Sequence, residues 1–300
     1  MRTPQEKRAG LELAFMSLIW GYGFIAIVHA FQSFSPIAIA GYRFVLCFLI
    51  MLPILLGVRS MRREFTWKSA KAALIPGIFL GLTLFLQTLG LKFTTATKSG
   101  FITTLYILFV PILERVWLGR RLTPLHYIYV ALGLVGTAMI CKFTAGEFNI
   151  GDLMTLACAI TCTVQIVGIS RFANDVKSPF VLNGFQCLWA GMICMSALAF
   201  FGGWEIHDLT PKSLGSFLYL AIFSSVIAFT IQVRAQKILS ASTSSMITLL
   251  ESPAATFFAF MLLGESLDLS QWVGAVLILL AAVLVVREPT PSSTDSNKTK

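Results

Sequence analysis

Residues 91–106, LKFTTATKSGFITTLY, lie over residues 236–251, QKILSASTSSMITLLE, without a gap. Lys92 meets Lys237, Ala96 meets Ala241, Ser99 meets Ser244, Ile102 meets Ile247, Thr103 meets Thr248 and Leu105 meets Leu250, all at a spacing of 145. The same spacing pairs Gly119 with Gly264, Leu122 with Leu267 and Leu132 with Leu277, and a spacing of 143 pairs Pro36 with Pro179. The chain therefore reads as two copies of one unit. What decides the fold is how many apolar segments each copy holds.

Of 300 residues, 56% are hydrophobic and 12% charged, with a mean hydropathy of +0.80. That is too little polar surface for a soluble domain of this size and ample for a chain whose solvent is hydrocarbon. Ten stretches are long and apolar enough to cross a bilayer: 11–30, 36–57, 70–90, 94–117, 124–141, 152–171, 179–202, 212–234, 241–263 and 270–286. The first is longer than the apolar core of a signal peptide and is expected to stay as a span. Five spans per copy is an odd number, so the second copy enters from the opposite side, which makes an inverted repeat.

Charge agrees with inversion. The loop 59–71, RSMRREFTWKSAK, carries five basic residues; its counterpart 201–213, FGGWEIHDLTPKS, carries one Lys with Glu205 and Asp208. GRRLTP (119–124) likewise becomes GESLDL (264–269). Eighteen of the 23 Lys and Arg fall in 1–10, 58–71, 115–123, 171–178, 234–240 and 287–300. The opposite side receives Lys92, Lys98, Lys142 and Lys212, and Arg43 lies within a span. The positive-inside rule then places both termini in the cytoplasm. The expected organisation is a cytoplasmic tail 1–10, a first repeat 11–143, a second repeat 150–287 and a disordered cytoplasmic tail 288–300. The net charge of +9 is distributed as membrane loops require, and no nucleic-acid partner is expected.

Ionisable groups at depth are the first candidates for function. Glu251 lies near the middle of the ninth span and Arg43 about two turns into the second. Their repeat mates are Tyr106 and Gln186. The pseudo-two-fold makes these four candidates for one central cavity, although Glu251 and Arg43 could also serve to lock helices together. Gln87 and Gln165 could line the pathway, as could Gln232, and Trp20 and Tyr22 could form an aromatic wall. Pro111 and Pro253 interrupt equivalent spans, and breaks in matching positions point to a binding site. Ser99, Thr103, Ser244 and Thr248 would let those spans pack closely, and Gly77 and Gly81 form a helix-contact pair. Glu114 with Arg115 reads as a surface or gate pair. The six cysteines read as small packing residues, with no metal site and no cofactor expected.

The stretch SGFITTLYILFVPILERVWLGRRLTPLHYIYVALGLVG (99–136) resembles the first-half signature of EamA-type transporters of the drug/metabolite transporter superfamily. LLESPAATFFAFMLLGESLDLSQWVGAVLILLA (249–281) resembles the second-half signature. Ser252 stands at the usual proline position, with Pro253 one place later, and Tyr129 stands where the first repeat usually has the glycine matched here by Gly274. The resemblance implies an all-α membrane protein of ten helices in two inverted five-helix repeats, in a bacterial inner membrane, and efflux is common in the family.

The expected function is secondary transport by alternating access. Without a Walker motif, coupling falls to protons or to a counter-substrate. Arg43 and Glu251 around one cavity would suit a zwitterion such as an amino acid, with cationic drugs or nucleotide- and cofactor-like metabolites as alternatives. An intramembrane enzyme would need a Ser–His pair or a His-x-x-x-His spacing at depth, and neither is present. A non-transporting scaffold would have no use for Glu251. Oligomeric state is open, a homodimer included.

Overall fold

The computed structural model describes residues 3–90, 93–94, 96–120, 123–140, 148–263 and 267–287. The expected tail 288–300, residues 141–143 of the expected first repeat, and Lys92, Arg121 and Lys142 lie outside the described residues, as does part of the GESLDL stretch (264–266). Every regular element among the described residues is a helix, and Phe34 and Ile206 form an antiparallel bridge.

The chain runs through α1 (Pro4–Ala30), α2 (Pro36–Gly57), α3 (Arg59–Glu64), α4 (Trp67–Ala72), α5 (Leu74–Gly90), α6 (Ala96–Thr104), α7 (Tyr106–Leu118) and α8 (Pro124–Ile140). The second half is α9 (Ile150–Phe172), α10 (Pro179–Phe201), α11 (Pro211–Ala221), a π-helical segment Ile222–Ile227, α12 (Ala228–Gln236), α13 (Ala241–Thr248), α14 (Glu251–Leu263) and α15 (Leu269–Arg287). Among the described residues, seven rods are long and apolar enough to cross a membrane, and Leu74–Gly90, Pro124–Ile140 and Leu269–Val285 are shorter apolar helices. Large apolar side chains face outward along them, Phe200, Val116 and Leu269 among the most exposed, which hydrocarbon tolerates and water does not.

Local chemistry sets the ends. α2 and α10, repeat mates, begin alike: Ser35 and Ser178 accept N–H bonds from Ala38 and Val181, and Pro36 and Pro179 occupy the first helical position, where no donor is needed. α1 begins at Pro4 rather than at 11, because Thr3 and Glu6 form a reciprocal capping box ahead of the apolar run. The expected N-terminal tail is thus largely the first two turns of that helix.

The packing is reciprocal between the halves. α1 packs along α11 and α12, and its mate α9 packs along α5, the mate of α11–α12. α14 packs on α1 as α7 packs on α9. α2 runs antiparallel to α10, with Gly41 against Cys194 and Gly184 against Leu55. α8 runs antiparallel to α15, with Gly136 against Gly274. Gly77 and Gly81 pack on α10 at Trp189 and Ala190.

Hydrogen bonds and ion pairs define the two ends of the bundle. At one, His207 N–H donates to Ser33 O (2.9 Å), Ser35 Oγ to Gly203 O (2.8 Å) and Thr94 Oγ1 to Asp152 (2.5 Å). At the other, Ser178 N–H donates to Glu64 (2.9 Å), Lys237 Nζ to Val176 O (2.6 Å), and Arg234 pairs with Glu12 (2.8 Å). This second end gathers Arg59, Arg62, Arg63, Arg115 and Arg120 and is called the basic end below.

Candidate functional site

Three irregular stretches meet at mid-height. The rod of α6 and α7 breaks at Leu105, and the rod of α13 and α14 breaks at Leu249–Leu250, its repeat equivalent. Pro111 sits six residues past the first break, inside continuous α7. Pro253 sits in the first turn of α14, where an N–H has no intrahelical acceptor and its loss costs nothing. The interruptions are therefore displaced from the prolines. They put Tyr106 and Glu251, repeat mates, each at the first position of a new helix.

The third is the π segment Ile222–Ile227, which widens one turn and leaves carbonyls without regular partners. Polar side chains from three rods satisfy it. Trp20 Nε1 donates to Ser224 O (3.1 Å). Asn183 Nδ2 lies 3.2 Å from Ser225 O, 3.1 Å from Val226 O and 3.0 Å from Thr230 Oγ1, and its two hydrogens serve two of these at a time. Arg43 donates from Nε to Ser225 Oγ (2.6 Å) and from Nη2 to Ser224 Oγ (2.9 Å). The Ser225 hydroxyl in turn donates a hydrogen bond to Leu220 O (3.0 Å). Asn183→Ala is expected to lower stability by about 1–3 kcal/mol, because it strands buried carbonyls, and unfolding of the purified protein in graded denaturant measures it.

A cavity of about 120 Å³ opens among these stretches. Trp20, Arg43, Gln87, Tyr106, Gln165 and Glu251 all line it, joined by Thr103, Cys162, Ser224, Phe229, Gln232 and Thr248. Gln186 lies behind the wall, where its Oε1 accepts from Gln165 Nε2 (3.4 Å), and that same nitrogen donates to Gln232 Oε1 (3.2 Å). Tyr22 does not line the cavity and meets Tyr219 and Phe258 edge to face.

Arg43 is 5% exposed and bonds to serine hydroxyls, with no carboxylate partner among the described residues. The Glu251 carboxyl accepts no hydrogen bond from the described residues and is partly exposed. The two charges thus share one cavity without pairing with each other: Arg43 locks α2 to the π segment instead, as one reading of it expected, while Glu251 makes no such tie. Trp20 and Phe229, with ring centroids 5.1 Å apart, add an aromatic face.

Several residues of the site and its support were not singled out in the sequence. Ser224 and Ser225 form a polar pair inside an otherwise apolar stretch, and Asn183 lies one turn before Cys187, so both signals were present. Glu114 is buried, 1% exposed, and bonds to Arg120 and to the start of α13, where a surface or gate pair with Arg115 was expected.

The EamA-like transporter family model matches residues 9–142 and 149–287. An uncharacterized transporter of Archaeoglobus fulgidus is 34% identical over 281 residues, covering 92% of this chain and 85% of that one. YvbV of Bacillus subtilis, also an uncharacterized transporter, is 24% identical and covers 95% of this chain and 93% of its own. An S-adenosylmethionine/S-adenosylhomocysteine transporter of Chlamydia muridarum is 24% identical over 83% of this chain and 82% of its own. A solved crystal structure superposes with a TM-score of 0.74 at 20% identity, over 92% of this chain and 96% of that one, a likeness of fold.

Proposed function

We propose, from the premise that this chain belongs to the EamA-like transporter family, that it is a secondary carrier exporting small zwitterionic metabolites such as amino acids. The protein is a multi-pass membrane transporter rather than an enzyme. In the proposed arrangement it crosses a cytoplasmic (inner) membrane ten times as two inverted five-helix repeats, with both termini and the basic end in the cytoplasm. The reciprocal packing of repeat mates and the positive-inside bias support that arrangement.

One observation carries the substrate reading: Arg43 and Glu251 line the same cavity and leave each other unpaired. A substrate carboxylate meets the guanidinium, a substrate ammonium meets Glu251, and the aromatic face of Trp20 and Phe229 receives the apolar part. Alternating access moves this site from one end of the bundle to the other, driven by a proton carried on Glu251 or by exchange with a second substrate. The same aromatic face favours a second reading, a zwitterion that also bears a flat ring, such as the metabolites named for the Chlamydia relative.

Thermal stability of the purified protein with amino acids, nucleotides, polyamines and cationic dyes tests the reading. A ligand at about 100 times its Kd stabilises by roughly 2.7 kcal/mol. Amino acids are expected to stabilise the wild type, and Arg43→Gln to remove that effect. Stabilisation by cationic dyes alone, unchanged in Arg43→Gln, would sink the zwitterion reading in favour of a cation carrier.

A further inference from the structure

We propose that Glu114 is a latch that holds the basic end of the bundle shut in this conformation, a positioning residue of the transport cycle. The proposal rests on the carrier reading above. Glu114 lies on α7, in the first half of the chain, and is 1% exposed. Its carboxylate accepts from Ala241 N–H (3.2 Å) and Ser242 N–H (2.9 Å), from the Ser242 hydroxyl, and from Arg120 Nη1 (3.2 Å). The two backbone donors are in the first turn of α13, in the second half. Those N–H groups have no partner within their own helix, and the helix dipole adds attraction for the negative charge. One buried side chain thereby joins the two halves at the end where the helices would have to part.

Two further features tie this contact to the state of the cavity. α13 runs directly from the latched turn to the break at Leu249–Leu250, with Thr248 just before the break and Glu251 just after it on the cavity wall. Movement at Ala241 is therefore transmitted along a helix of 8 residues to the site. The cavity itself reaches toward the opposite end, where Phe24 and Ile27 of α1 and Gln87 of α5 line it. The cavity extends in the direction away from Glu114, and the bundle is tied beside that carboxylate.

The latch has no repeat equivalent at the opposite end, where Thr94–Asp152 and Ser35–Gly203 join the halves instead. The repeat spacing of 145 carries Glu114 to Ala259, which has no acceptor to offer the start of α6. The Arg234–Glu12 pair also crosses the halves at the basic end, but with side chains 48% and 17% exposed it holds little in comparison. Opening the basic end would trade the charge-assisted bonds of Glu114 for water. Removing the carboxylate removes that cost, and the population shifts toward the conformation open at the basic end.

Cys162 on the cavity wall is a native reporter. In a Cys141→Ser background, a membrane-impermeant maleimide is applied from each side in vesicles of both orientations, to the full chain and to Glu114→Ala and Glu114→Gln. Labelling of Cys162 from the basic end is expected to rise roughly tenfold in Glu114→Ala and to fall from the other end. Glu114→Gln is expected to rise less, since the amide keeps one acceptor. Should Glu114→Ala fail to fold, Glu114→Gln and Ser242→Ala, which removes the hydroxyl donor alone, carry the test. Labelling identical to the wild type in every folded variant overturns the latch and leaves the carrier intact. A wild-type Cys162 unreactive from both sides overturns the carrier reading and the latch with it.

Discussion

Glu251→Gln is expected to reduce substrate flux in proteoliposomes by roughly hundredfold, equivalent to about 2.7 kcal/mol, while leaving the fold intact. The carboxyl stands at the first position of α14, on the cavity wall, and accepts no hydrogen bond from the described residues. An amide of the same shape therefore breaks no contact of the scaffold. What it loses is the charge that receives a substrate ammonium and the site that can carry a proton, and a group of that kind at depth is costly to retain without a use. Counterflow and pH-gradient-driven uptake, measured beside thermal unfolding, separate the roles. Full, pH-sensitive flux in Glu251→Gln would end the coupling role, and a fall in stability to match the fall in flux would make Glu251 a structural residue instead.

The largest loss of stability is expected from Gly274→Leu. α8 and α15 cross so closely that a Cβ at Gly274 would stand 2.5 Å from Gly136 O and 2.9 Å from the Met139 Cβ. A Cβ at Gly136 would in turn meet Gly274 O at 2.7 Å. The obstacle is backbone, so no rotamer change relieves it, and the two helices must separate. A cost of roughly 3 kcal/mol or more is expected, seen as a lower midpoint in detergent unfolding and a broadened size-exclusion peak. Gly215→Ala is the control, since nothing lies within 4 Å of the added carbon, and it should shift the midpoint little. Equal behaviour of the two variants would mean that α8 and α15 are not held by this crossing.

Hydrophobic run length located the rods because lipid imposes it: each of the ten apolar stretches has a helical counterpart among the described residues. What run length could not supply was interior geometry. A proline announces a missing donor, but the helix yields where the freed groups can be satisfied. The breaks accordingly fell at Leu105 and Leu249–Leu250, with Pro111 left inside a helix. The start of α1 was read too late because Glu6, Lys7 and Arg8 look like a solvated tail, while Thr3 and Glu6 supply a cap that overrides the impression.

Depth and charge were enough to single out Arg43 and Glu251, and the repeat offset brought in Tyr106; these three line the cavity with Trp20, Gln87 and Gln165. The offset carried less information for Gln186, because a two-fold operation preserves position along a rod and not the small rotation that decides which side faces the opening. The π segment has no simple residue code. Its carbonyls recruit Trp20 and Asn183 from other rods, which a one-dimensional reading does not bring together. The partners of Glu114 were missed for the same reason, since Ala241 and Ser242 lie 127 and 128 residues away.

The reciprocal packing also orders events at the ribosome. α1 is the first rod made, yet the elements it packs along, α11 through α14, all lie beyond residue 210. At about 5–20 residues per second of synthesis, roughly 10 to 40 s separate the insertion of α1 from the arrival of its first neighbour in that group. During that interval Gly21 and Gly23 lack the neighbours they meet in the finished fold, Ala254 and Ser224. Nascent chains cut short before Pro211 should accordingly leave α1 loose enough to be crosslinked to lipid or to the insertion machinery, and chains extended past Leu263 should not.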